Sequence, residues 1–213
     1  YPEKNAMSHM VAYFEEDNVA AVTSAILVKS KGKLLENLQA IEYAIIAWNR
    51  KLLQYIEGIY VTPGPLSMYK KNLILKYGGF DTNNLTEDIE MTWKVLSHNH
   101  KVRIDLRAKC YTTAPNKLKQ WWRQRIRWNL GGFQTMVKYK KLIFNTKFAM
   151  MGLFVVPFFI STFLLSLIGL TVFFYVFIKN LMNSYLVSKY SIDAGTQLLT
   201  FEELNLNPTV FAF

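Results

Sequence analysis

FAMMGLFVVPFFISTFLLSLIGLTVFFYVFI, from Phe148 to Ile178, runs for 31 residues without one charge. About 20 apolar residues span a bilayer, and two crossings would need roughly 40 plus a turn, so the run fits one span. Core helices of soluble proteins rarely continue this far without polar side chains. Pro157 divides it. The reading is an interfacial entry over Phe148–Val156 and a spanning helix over Phe158–Ile178, with the proline near the first turn, where its missing N–H is harmless.

What precedes the span sets its orientation. Residues 101–147 hold 13 Lys and Arg against one acid, Asp105, whereas residues 1–100 hold 10 bases and 11 acids. The basic block before the span, with only Lys179 and Lys189 soon after it, puts residues 1–147 on the cytoplasmic side by the positive-inside bias. The organisation expected is a cytoplasmic domain over 1–147, interfacial entry plus span over 148–178, and a loop over 179–213. Within that last stretch, Asn207–Phe213 would open a second apolar segment. Tyr1 does not resemble a start or a signal peptide, so the sequence is read as the interior of a longer chain.

The 213 residues are 51% hydrophobic and 15% aromatic, which excludes disorder. Cys110 is the single cysteine, which excludes a disulfide scaffold. Val19–Val28 (VAAVTSAILV) reads as a buried strand and Lys33–Tyr55 as an amphipathic helix, with Leu34, Leu38, Ile41, Ile45 and Trp48 forming its core face. Ile59–Thr62 reads as a short strand ended by the turn Pro63-Gly64-Pro65. Tyr69–Tyr77 reads as a helix closed by Gly78-Gly79. Thr86 is the expected N-cap of a helix from Glu87 to about Ser97, acidic in its first turn. Lys101–Leu106 and Lys109–Thr113 read as strands, and Asn116 as the cap of a helix over Lys117–Tyr139. Alternating strands and helices argue for an α/β domain.

Two clusters could carry chemistry. Asn84-Leu-Thr86-Glu87-Asp88-Ile-Glu90 suits an ordinary helix start. A carboxylate there can equally accept a proton from a bound hydroxyl, with neighbouring acids raising its pKa. In Lys119–Asn129 (KQWWRQRIRWN), Leu118, Trp122, Ile126, Leu130 and Phe133 make one apolar stripe, and Gln124, Arg127 and Trp128 lie on roughly the opposite face. An Arg there can clamp a phosphate, a Gln can add a donor, and an indole can stack on a sugar or base. A cationic helix lying on the bilayer surface explains the same residues, and the two readings are compatible.

Thr86-Glu87-Asp88, followed about 35 residues later by Gln124-x-x-Arg127-Trp128 and then a span, resembles the membrane-embedded family 2 glycosyltransferases. Cellulose, hyaluronan, chitin and poly-N-acetylglucosamine synthases are the processive members of that group. Val61-Thr-Pro-Gly64-Pro65-Leu-Ser67-x-Tyr69-Lys70 and Gly78-Gly79-Phe80-Asp81 resemble the segment before the acidic motif. The likeness covers residues 1–178. It implies a GT-A-like (nucleotide-diphospho-sugar transferase) domain and a hexosyltransferase using a nucleotide sugar, a UDP-sugar by expectation. By position, Asp88 matches the general base, flanked by Thr86 and Glu87. Gln124, Arg125, Arg127 and Trp128 match the motif at the diphosphate and acceptor entrance, and Gly64 and Pro65 the loop beside the acceptor terminus. The implied partners are a saccharide acceptor and membrane lipid, without nucleic acid.

The likeness has gaps. The family's metal-binding Asp-x-Asp does not occur, so the implied cofactor, Mg²⁺ or Mn²⁺, would be held mainly by a motif outside this stretch. These residues are expected to be the acceptor half, inactive alone. Two other readings fit parts of the same sequence. A non-processive lipid-linked transferase usually lacks Gln-x-x-Arg-Trp. A membrane-anchored module binding nucleic acid or a lipid surface through its basic helix leaves the Pro-Gly-Pro loop and Thr-Glu-Asp unexplained. The three histidines show no metal-ligand spacing, and Cys110 reads as a small buried residue.

Overall fold

The computed structural model describes residues 1–29 and 32–193; the apolar segment expected at Asn207–Phe213 lies outside them. The chain divides into two compact units, residues 1–161 and 162–213. The first unit is mixed α/β. Its elements are α1 (Ala6–Val11), β1 (Val19–Val28), α2 (Leu34–Tyr55), β2 (Ser67–Tyr69), α3 (Lys71–Lys76), α4 (Glu87–Ser97), β3 (Lys101–Thr112) and α5 (Leu118–Tyr139), followed by the start of α6 (Val156–Asp193).

The sheet has three strands in the order β2-β1-β3. β1 carries no charge and is buried along nearly its whole length, as expected of a central strand covered on both faces. It pairs antiparallel with β2, Thr23 opposite Ser67, and parallel with β3, Thr23 opposite Ile104. The two strands read over Lys101–Leu106 and Lys109–Thr113 are one strand with an irregularity. Ser24 faces Asp105 and the next residue, Ala25, faces Lys109. The extra residues are held by Asp105, whose carboxylate accepts from the Arg107 backbone N–H (2.8 Å) and guanidinium (2.7 Å).

Other boundaries moved for identifiable reasons. Ile59–Thr62 is not a strand, because the Thr62 N–H donates to Thr92 Oγ1 (3.0 Å) instead of joining a ladder. Ser67–Tyr69 pairs with β1, so the helix read from Tyr69 begins at Lys71. Gly78 and Gly79, at φ +81° and +75°, follow it as the left-handed stop that glycine favours. Lys117, extended at φ −117° and ψ 134°, takes the N-cap position of α5, which leaves Asn116 one residue too far out.

The main core gathers Ala20 and Ala21 of β1, Met91, Trp93 and Val95 of α4, and Ile104 of β3. Residues 148–156, expected at the bilayer interface, contribute Met151, Val155 and Val156 to this core. A smaller cluster on α1, β1 and β3 is built from Met10, Val19, Val22 and Ala108.

α2 reverses the orientation its pattern suggests. Leu34 (76% exposed), Leu38, Ile41, Ile45 and Trp48 (59%) face outward, while Glu36, Gln39, Ala47 and Arg50 are buried. Amphipathicity separates two faces but does not say which is covered. Here β1 and β3 lie against the helix, and Gln39 and Glu42 meet Gln124 and Arg125 of α5. The stripe Leu118, Trp122, Ile126, Leu130 and Phe133 on α5 is exposed as well.

α6 carries Pro157 in its first turn and continues past Ile178, where a loop was expected. No proline, and no glycine after Gly169, interrupts it before Asp193. Among the described residues this is the one helix long and apolar enough to cross a membrane, with a mean hydropathy of 2.4 over its most apolar 18 residues.

Candidate active site

The site is built at the start of α4. Asp88 is the second residue of the helix and half-buried. Its carboxylate accepts from the backbone N–H of Ile89 (2.9 Å) and, across the chain, from that of Gly64 (3.2 Å). Burial pushes the Asp88 pKa above the ordinary carboxylate value and the negative Glu87 adds to this. The two backbone N–H groups pull the other way without cancelling it. The result is a half-buried carboxylate of raised proton affinity, held against the Pro63-Gly64-Pro65 turn.

That turn is clamped by hydroxyls that the sequence did not single out. Thr62 Oγ1 lies 2.6 Å from both Tyr69 Oη and Thr92 Oγ1, and Thr92 Oγ1 donates to the Asp88 carbonyl (2.7 Å). Thr92 is one helical turn beyond Asp88, so the cluster fixes the Gly64 loop to the residue it caps. Burial pushes the Tyr69 phenol up to about 12, which keeps it a neutral donor. Pro65 presents its carbonyl to the buried Cys110 thiol (3.8 Å).

Thr86 occupies the N-cap position but makes no side-chain cap; its Oγ1 donates to Asn84 Oδ1 (3.3 Å). It is a packing residue. A Cβ on Gly131 of α5 would overlap its side chain, at 2.6 Å from Cγ2. Close backbone approach of this kind is what a glycine permits. Asn84 Nδ2 to Thr135 Oγ1 (3.0 Å) and the Leu85 N–H to Gln134 Oε1 (3.0 Å) extend the contact between α5 and the start of α4. Glu90, fully buried, accepts from Lys138 (2.6 Å) and Tyr139 (3.0 Å) and completes it. Glu87 is exposed.

One and two turns before Gly131, α5 faces α2. Gln124 Oε1 accepts from Gln39 Nε2 (3.1 Å), and the Trp128 ring is tilted 6.4 Å from the ring of Tyr43. Arg125 is committed elsewhere than to a ligand. It forms a two-pronged ion pair with Glu42 and lies over the rings of Trp121 (5.1 Å) and Trp128 (4.8 Å). Arg127 is exposed. The structure thus joins Asp88 to Gly64, and Gln124 and Trp128 to α2, while α5 ties the two groups together through Gly131 and Thr86.

Sequence reasoning missed Gln39, Tyr43 and Arg50, which follow one another on the inward face of α2. The signal was present as polar residues at helical spacing opposite the Leu34–Trp48 stripe. Among the described residues no group of three or more His, Cys, Asp or Glu converges as a metal cage.

Comparison with known proteins gives the family. Poly-beta-1,6-N-acetyl-D-glucosamine synthase of Staphylococcus aureus (strain COL) is 30% identical over 138 residues, which is 64% of this chain and 34% of that protein. The protein of the same name in Staphylococcus epidermidis (strain RP62A) is 30% identical over the same shares of both chains. The chain therefore spans about a third of the length of the curated relatives it matches. Residues 3–188 match the family described as Glycosyl transferase family group 2, and with nearly the whole first unit and most of α6 inside that match, the chain belongs to this family.

Proposed function

We propose that this chain carries the acceptor half of an inverting glycosyltransferase that extends a β-linked polysaccharide from a nucleotide-diphospho-sugar. The observation that carries the reading is Asp88. It is a half-buried carboxylate with a raised pKa, held in place by the Gly64 N–H and left facing the loop that resembles the acceptor site. In the proposed step, Asp88 takes the proton from an acceptor hydroxyl as its oxygen attacks the anomeric carbon. The bond from that carbon to the diphosphate breaks on the opposite side, and its electron pair leaves with the nucleoside diphosphate. Arg127 and Gln124 would meet the departing charge, and Trp128 would stack on the sugar. Glu87 would keep the Asp88 proton affinity high, and Thr86 would hold α4 against α5.

The names of the relatives make UDP-N-acetylglucosamine the first donor to test and β-1,6-linked N-acetylglucosamine the first product to seek. A divalent cation, supplied by ligands other than those described here, would neutralise the diphosphate. The basic block before the α6 span supports a cytoplasmic location for the catalytic residues, with membrane lipid as a partner of the span. The test is UDP release and polymer formation by the complete protein in membranes, with Mg²⁺ or Mn²⁺. Release from UDP-N-acetylglucosamine that Asp88→Asn removes is the expected result. No release with any UDP-sugar from folded protein overturns the reading.

A further inference from the structure

Buried polar atoms without a partner are rare in native proteins, and each calls for an explanation. Among the described residues there are four such side-chain atoms: Gln39 Oε1, Arg50 Nε, Arg125 Nε and Glu90 Oε2. Glu90 Oε2 lies 3.3 Å from the Lys94 ammonium, which accounts for it. The other three belong to the inward face of α2 or to the turn of α5 that meets it. Arg50 is the most exposed to this argument. It is 9% accessible, and among the described residues no ion pair or hydrogen bond satisfies its Nε. Burial lowers its pKa to about 10 against the attraction of Tyr60, Asp88 and Tyr43, so the guanidinium remains charged at neutral pH. Leaving a charge buried and unpaired is strongly unfavourable unless something answers it.

We propose that the inward face of α2 is the acceptor-saccharide wall of the site, with Arg50 and Gln39 as its hydrogen-bonding residues. This rests on the transferase reading above. Gln39 and Arg50 are eleven residues apart, about 16 Å along the helix. Tyr43 lies between them with its ring beside Trp128. Amide, aromatic face and guanidinium in a row suit a chain of neutral sugar rings, which offers hydroxyl and ring oxygens on its edges and apolar faces between them. Arg50 sits at the Asp88 end of this row. A diphosphate held there would repel the carboxylate that must ionise, whereas an acceptor sugar has to be there for its hydroxyl to reach Asp88. The phosphate-binding role therefore stays with the Arg127 end, and Arg50 serves the acceptor.

Arg50→Met and Arg50→Lys in the complete protein test this with two readouts. In detergent, Arg50→Met should hold or raise the melting temperature, because it deletes an unanswered buried charge; a structural arginine would lower it. In membranes supplied with UDP-N-acetylglucosamine, both variants should lower the ratio of sugar polymerised to UDP released by at least tenfold, as water replaces a poorly held acceptor. Inhibition by added UDP should stay within twofold of wild type. An unchanged ratio, a lower melting temperature for Arg50→Met, or weakened UDP inhibition overturns the inference. Failure of the wild type to release UDP overturns the transferase reading itself, and is seen before either variant is measured.

Discussion

Replacing Asp88 with Asn removes the proposed proton acceptor while nearly preserving its shape, and the structure separates what should follow into two parts. A positioned general base contributes about 10²–10⁴-fold, so turnover should fall by that factor, equivalent to ~3–5 kcal/mol of transition-state stabilisation. Stability should respond differently. The carboxylate accepts one N–H from Gly64 and one from Ile89. A carboxamide has one acceptor oxygen, so one of these N–H groups loses its partner, at about 1 kcal/mol. Opposing this, burial penalises the Asp88 charge. Its folded pKa is raised, so the folded state binds the proton more tightly than the unfolded chain does. Stability therefore falls as pH rises from the ordinary Asp value through the raised one, and the penalty persists above that window. Asn removes it. We predict a small net change in melting temperature for Asp88→Asn, with a flatter dependence on pH across the window. In the wild type, only ionised Asp88 can act as base, so the rate should climb with pH through a midpoint above the ordinary Asp range. The assay is initial UDP release by the complete protein in membranes from about pH 4 to 8, with binding of UDP measured alongside. Turnover of the variant within tenfold of wild type, or a wild-type acid limb centred at the unshifted Asp value, would refute the assignment.

Three further predictions bear on the architecture around this carboxylate. Arg127→Ala should weaken transfer by about 1.5–3 kcal/mol, the worth of a charge-assisted hydrogen bond, and should raise the inhibition constant for UDP; wild-type affinity for UDP contradicts it. Gly131→Ala should lower stability by about 1–3 kcal/mol through its overlap with Thr86, and Thr86→Gly in the same protein should restore part of the loss, measured by thermal denaturation. Arg125→Gln and Glu42→Gln should couple by about 1 kcal/mol or more in a double-mutant cycle, since this pair joins α2 to α5 while both partners are partly buried; additive losses would show that the pair contributes nothing.

Much of the fold could be read from local pattern, and the failures have physical causes. α4 and α5 start and stop within a residue or so of expectation, because acids at the start of one and the long amphipathic run of the other are strong signals. Pro157 marks the first turn of α6 for the reason given by its missing N–H. β2 escaped notice because three residues carry no periodicity. β3 read as two strands because the Asp105–Ala108 irregularity carries charged residues where a ladder should continue. Of the residues the motifs singled out, the structure sets Asp88 against Gly64, and Gln124 and Trp128 against α2. The place of Arg125 was not legible, since a helical wheel shows direction and not the Glu42 waiting 83 residues away in sequence. Arg50 was hidden by the default assumption that the polar face of an amphipathic helix meets water.

The inverted α2 also has a consequence for the order of events during synthesis. Its last residue is Tyr55 and α5 begins at Leu118, so about 60 residues must be made before even the start of α5 can meet it. At ~5–20 residues per second that is a delay of roughly 3–12 s. Through this interval the polar face of α2 is still hydrated and its oily face has already emerged. The newborn helix is surface-active before it is part of an active site. The drying of Gln39 is thus one of the last acts of folding, deferred until the distant helix arrives to meet it.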